Sequence, residues 1–141
     1  MRTVSIAWQP EAERFVALGG HAQHPVAINA PHEGPATGFS PAELLLAAAG
    51  SCAAWDVVEI LRKQHQPLIS LSVSVHGRQH EGPPHQFEDV ELFFEAAGRG
   101  LDARKVERAV ALSETRYCAV LATIRGVARV SCRVEVHEAA T

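Results

Sequence analysis

Three cysteines, Cys52, Cys118 and Cys132, are the side chains of this 141-residue chain best able to do covalent chemistry. A thiolate is the strongest nucleophile a protein offers, and its population near neutral pH depends on what surrounds it. The three are separated by 66 and 14 positions, an odd and sparse set without a CxxC. That pattern is neither a disulfide framework nor a zinc or thioredoxin-like site, so each thiol needs its own explanation. Cys132 falls on the apolar phase of an alternating segment and reads as core packing. Cys52 sits within a long apolar run, where a small core residue and a reactive thiol are both open readings. Cys118 follows Arg116 and Tyr117, just beyond an amphipathic helix. A positive neighbour or a new helix start would lower its pKa there, so packing and reactivity stand level.

The elements that must position these thiols centre on Ser40–Lys63, SPAELLLAAAGSCAAWDVVEILRK. Ser40, Pro41 and Glu43 form a capping box with proline in the first turn. Arg62 and Lys63 put positive charge at the other end, where the helix dipole favours it. From Leu44 to Trp55 the helix is apolar or small on all sides, which predicts a central buried helix. Only 12 residues lie between Glu43 and Asp56. A membrane-spanning helix needs roughly 20, so no span is expected. The sheets of one chain cover one side of such a helix, and a second subunit is expected to complete its burial in a homodimer.

Around this helix the chain reads as short strands and one further helix. Val4–Trp8, Phe15–Leu18 and Pro25–Ile28 are apolar or alternating runs, a small antiparallel meander. Asn29–Phe39 carries prolines and glycines without periodicity and is expected to be a surface connection that shapes a pocket mouth. Ile69, Leu71, Val73 and Val75 alternate with serines, and Val90–Glu95 alternates apolar residues with glutamates, so the two runs are expected to pair as a hairpin across GPPH. Asp102 is a good N-cap for a helix to about Thr115, with a Leu101–Val106 staple and Val106, Ala109, Val110 and Ser113 on one face. Ala128, Val130, Cys132, Val134 and Val136 then alternate with polar residues as a half-buried last strand. The order βββ-α-ββ-α-β defines an α+β fold, with residues 1–141 as a single domain.

Composition narrows the function. A net charge of −3, from 13 basic and 16 acidic residues spread along the chain, gives no footprint for nucleic acid or an anionic membrane. MRTVSIAWQPEAE lacks an apolar signal core, so the cytoplasm is the expected location. His76, His80 and His85 lie at a strand end and in a turn without further ligands at metal spacing, and read as solvated; no metal site is expected. No phosphate cradle or serine-hydrolase motif is present, and no cofactor is expected.

SPAELLLAAAGSC with AAWDVVEILRK, and later KVERAVALSETRYCAVLATIRG, closely resemble the two cysteine motifs of the OsmC/Ohr family, the osmotically inducible and organic-hydroperoxide-resistance proteins. The resemblance covers Phe39 to about Val136. It implies an intertwined homodimer of OsmC-like α+β fold with the long central helix in the interface. It also implies thiol-dependent reduction of small organic hydroperoxides, in which Cys52 attacks the peroxide, Cys118 resolves the sulfenic acid as a disulfide, and an external dithiol reduces the pair. Peroxidase members carry a glutamate ten positions before the first cysteine; here Ala42 holds that place and Glu43 lies nine before Cys52. At about 100° per residue, nine positions put Glu43 and Cys52 on opposite sides of an unbroken helix. Arg14 and Arg2 are the arginines of the N-terminal strands, outside the family's arginine motif, and Asp56 falls on the face of Cys52, where its charge would raise the thiol pKa. These features resemble the less characterised OsmC-like branch more than Ohr. The alternative function is non-catalytic binding of an apolar small molecule in the dimer pocket.

Overall fold

The computed structural model describes residues 1–20, 23–29 and 35–140, which pack as two compact units, Met1–Leu45 and Leu46–Thr141. The first is the expected meander. Strands β1 (Val4–Gln9), β2 (Arg14–Gly19) and β3 (His24–Ile28) pair antiparallel in the order β1-β2-β3. Trp8 and Phe15 are register partners with ring centroids 4.9 Å apart, a tilted aromatic pair of the kind that ties neighbouring strands. The connection out of β3 is anchored at both ends. Asn29, buried, donates from Nδ2 to the Glu13 carbonyl (2.7 Å) and from its backbone N–H to the Phe39 carbonyl (3.0 Å). The middle of the proposed pocket-mouth segment, 30–34, lies outside the described residues.

Helix α1 (Pro41–Lys63) starts where the capping box places it: Glu43 N–H donates to Ser40 Oγ and Ser40 N–H to Glu43 Oε1, both at 3.1 Å. It runs unbroken through Gly50-Ser51, with Ser51 Oγ donating back to the Ala47 carbonyl at 2.7 Å. Its buried residues, Ala49, Gly50, Ala53, Val57 and Leu61, recur at helical spacing as one stripe. The all-round burial expected from its composition is therefore not reached within the chain. Only 28% of its most apolar window is buried, and Trp55 is 73% exposed, although the helix is long and apolar enough to cross a bilayer by length and composition.

The stripe packs in the second unit against β4 (Leu68–Gln79), β5 (Phe87–Gly98) and β6 (Arg129–Glu138), in the sheet order β4-β5-β6. β4 and β5 form the expected antiparallel hairpin, and β6 joins β5 in parallel. Gly50 sets how closely helix and sheet approach, because a Cβ there would stand 2.7 Å from Val75 Cγ2. Val90, Leu92, Phe94 and Ala96 of β5 are buried while Glu91 and Glu95 face out, the alternation read from sequence. Ile69 breaks the pattern of β4: a register shift between Leu68 and Ser70 turns it outward, 61% exposed, and Leu68 packs inward instead.

A parallel neighbour requires a crossover, and the segment between β5 and β6 supplies it. Asp102 caps α2 (Ala103–Leu112), its carboxylate accepting from the amides of Arg104 (2.9 Å) and Lys105 (3.4 Å). Leu101, Val106, Ala109, Val110 and Ser113 are buried, as the amphipathic spacing predicts. The expected end near Thr115 is revised: α-helical geometry stops at Leu112 and gives way to a π turn, Ser113–Tyr117. A short helix α3 (Ala119–Ile124) follows, with Cys118 at its N-cap.

Candidate active site

Cys52 lies on α1, one residue before the buried Ala53, and is itself half-buried. Cys118 is held more tightly. Its N–H donates to the Ser113 carbonyl across the π turn (2.9 Å), and its Sγ accepts from Leu121 N–H (3.4 Å). It is 2% exposed and belongs to the same core cluster that Cys52 packs against. The fold thus brings two thiols far apart in sequence to one core cluster, with Cys118 inside it and Cys52 packed against it.

Burial decides the electrostatics of Cys118. Desolvation pushes its thiol up from 9.0 to about 11, the Leu121 amide pulls it down, and the hydrogen bond and charge of Cys52 add to the rise. The expectation that a helix start would activate Cys118 is half right: the amide contact exists, but burial outweighs it, and Arg116 points to the Tyr117 ring at 5.6 Å. Cys132 is pushed up to about 12 by burial and then by the neighbouring Glu114 carboxylate, in keeping with a packed thiol on the half-buried β6. Cys118 and Cys132 are therefore protonated near neutral pH.

Asp56 does lie near the cysteine's face, yet its carboxylate is engaged. The fully buried Ser113 hydroxyl donates to Asp56 Oδ2 at 2.9 Å and is 3.2 Å from the Ala53 carbonyl. Ser113 joins the end of α2 to α1 beside both thiols, a part in the site that its sequence position on an apolar helix face did not disclose. Glu43 is exposed, and its carboxylate serves the helix cap; the Ser40 amide, then the Ser40 hydroxyl, hold its pKa below the ordinary value of 4.5. Arg14 donates from Nε to Gln9 Oε1 at 2.8 Å within the first sheet. His76 stands on β4, whereas His80 and His85 flank the hairpin turn, where His85 Nδ1 is 3.0 Å from the His80 carbonyl; the three do not assemble a ligand set.

The arrangement is an α+β fold that packs a mixed sheet on a long apolar helix, with a thiol of that helix against the core cluster that holds a second thiol. Comparisons with known proteins specify the family. A family model described as OsmC-like protein matches residues 34–133. Protein YhfA of Escherichia coli K12 is 37% identical over 97 residues, covering 69% of this chain and 72% of its own. Among solved structures, the OsmC-like protein of Mycoplasma pneumoniae has a TM-score of 0.82 at 16% identity, covering 96% of each chain. The organic hydroperoxide resistance protein OsmC of Legionella pneumophila has a TM-score of 0.69 at 17% identity, covering 96% of this chain and 97% of its own. The chain belongs to the OsmC-like family.

Proposed function

We propose that this protein is a thiol-dependent peroxidase for organic hydroperoxides, with Cys52 as the attacking and Cys118 as the resolving thiol. The packing of Cys52 against the core cluster that holds Cys118 carries the reading. Cys52 is the more exposed of the pair, as the attacking group must be, and Cys118 is protonated and sheltered until a partner sulfur needs it. The Cys52 thiolate attacks the terminal peroxide oxygen, the O–O bond breaks, the alkoxide takes a proton from water and leaves as the alcohol, and Cys52 becomes a sulfenic acid. The Cys118 thiol then gives up its proton and attacks the Cys52 sulfur. That attack forms the Cys52–Cys118 disulfide and releases water, and an external dithiol returns both thiols by exchange.

Glu43 is assigned to the helix cap first, and a catalytic part for it requires the same helix of a second copy. The uncovered apolar face of α1, including Trp55, supports a homodimer. The cytoplasm, with its dithiol reductants, is the expected setting.

The test is to expose the reduced protein to cumene hydroperoxide and to hydrogen peroxide, count free thiols and map disulfides by mass spectrometry. Loss of two thiols with a Cys52–Cys118 link is expected, faster with the organic peroxide. Retention of all three thiols under excess peroxide overturns the reading. Native mass spectrometry showing an apolar small molecule retained by Cys52→Ser would favour a binding protein instead.

A further inference from the structure

The face of the β4–β6 sheet turned away from the core carries acids that are answered by arginines at one end and not at the other. Asp89 is clasped by Arg78 and by Arg129 Nε (2.6 Å), and Glu88 by Arg78. Farther along, Glu95 and Glu135 are direct register partners across the parallel β5–β6 pair. Like charges placed directly opposite each other destabilise a strand pair. Arg133, near them on the same face, lies over the Phe93 ring at 3.9 Å, and among the described residues no lysine or arginine pairs with either glutamate. The partner that does approach is His137. Its Nε2 stands 3.5 Å from Glu95 Oε2 and 3.8 Å from Glu135 Oε2, and the three donor atoms lie within 4.8 Å of one another. These separations are too long for charge-assisted hydrogen bonds, which close to about 2.7–2.9 Å.

They match another geometry. Two ligands bound to one ion at about 2.1 Å, at a tetrahedral angle, stand roughly 3.4 Å apart. We propose that Glu95, Glu135 and His137 form a surface binding site for a divalent cation of the zinc type. Two carboxylates offset the charge of such an ion, and an imidazole among the ligands favours zinc-like metals over magnesium or calcium, which take oxygen sets. A cation there removes the repulsion between the paired glutamates and fastens the end of β6 to β5. Glu138 already binds that end to the next turn by accepting from Gly100 N–H at 3.0 Å.

Zn²⁺ titrated calorimetrically into the reduced full-length protein tests the site, with Cys52→Ser as the control for zinc held by thiols. A single Zn²⁺ per chain is expected, bound equally by wild type and Cys52→Ser. Glu135→Gln and His137→Gln are expected to weaken it about tenfold or more. Both positions are exposed, and far-UV circular dichroism verifies that the variants fold. Zinc is also expected to raise the melting temperature of wild type and not of His137→Gln. The proposal is overturned if His137→Gln binds as wild type does, if Cys52→Ser abolishes binding, or if wild type binds nothing below about 1 mM.

Discussion

The two sheets of this protein carry apolar residues to different ends. In β4–β6 the apolar side is covered within its own unit: Val90, Leu92, Phe94 and Ala96 are shielded while polar residues face out. In β1–β3 the large side chains Val4, Ile6, Trp8 and Phe15 all stand exposed, and every residue of β1 is open to solvent. Alternation alone gives both sheets the same reading; what differs is whether a covering element follows. A sheet that keeps its apolar residues uncovered gains little from burying them within its own chain, and the same holds for the free face of α1.

Substitutions can break that comparison or sharpen it. The largest effect is expected at Leu61, fully buried where α1 meets the second sheet. Leu61→Ala should cost about 2–5 kcal/mol, read by urea unfolding. Next is Gly50→Ala, whose methyl would stand 2.7 Å from Val75 Cγ2. Overpacking of about 1–3 kcal/mol is expected, with altered Cys52 alkylation as a second readout. Asp102→Ala removes the cap of α2 and should lower stability by about 1 kcal/mol, with Asp102→Asn retaining most of it. Ile6→Ala, in the open sheet, should stay within about 0.5 kcal/mol. A loss of about 2 kcal/mol that scales with protein concentration would instead show Ile6 to be covered by a second copy.

The smallest effect is on the acid side. The Glu43 pKa is lowered by the Ser40 amide and hydroxyl, so its contribution is full above the ordinary glutamate value of 4.5 and is lost as pH falls through the lower folded value. Glu43→Gln should therefore differ from wild type in thermal unfolding at neutral pH and converge with it once the pH falls below the lowered folded value.

Much of the scaffold was legible in local chemistry. The capping box of Ser40, the N-cap Asp102, the stripe on α2 and the alternation of β6 all depend on residues a few positions apart, and each is found where those residues place it. What escaped depends on pairing between distant segments. A bulge at Leu68–Ser70 reversed Ile69, and the π turn put Cys118 in a buried N-cap rather than beside a cation. Glu95, Glu135 and His137 meet only because β6 runs parallel to β5 in one register, which no spacing in the sequence encodes. The two thiols were legible through motif likeness; their meeting at one core cluster, and the Ser113–Asp56 link, required the fold.

The mixed sheet has one more consequence, for how copies of the protein avoid sticking together. β5 is the strand hydrogen-bonded on both sides, which leaves β4 and β6, 12 and 10 residues long, as the edges of this sheet among the described residues. β6 is guarded by Arg129, Arg133 and Glu135, whose charge discourages another strand from adding. β4 offers Ser70, Ser72 and Ser74 instead, neutral and small. The β4 edge is where a foreign strand meets least resistance, and a lysine at Ser72 would be the economical guard against aggregation.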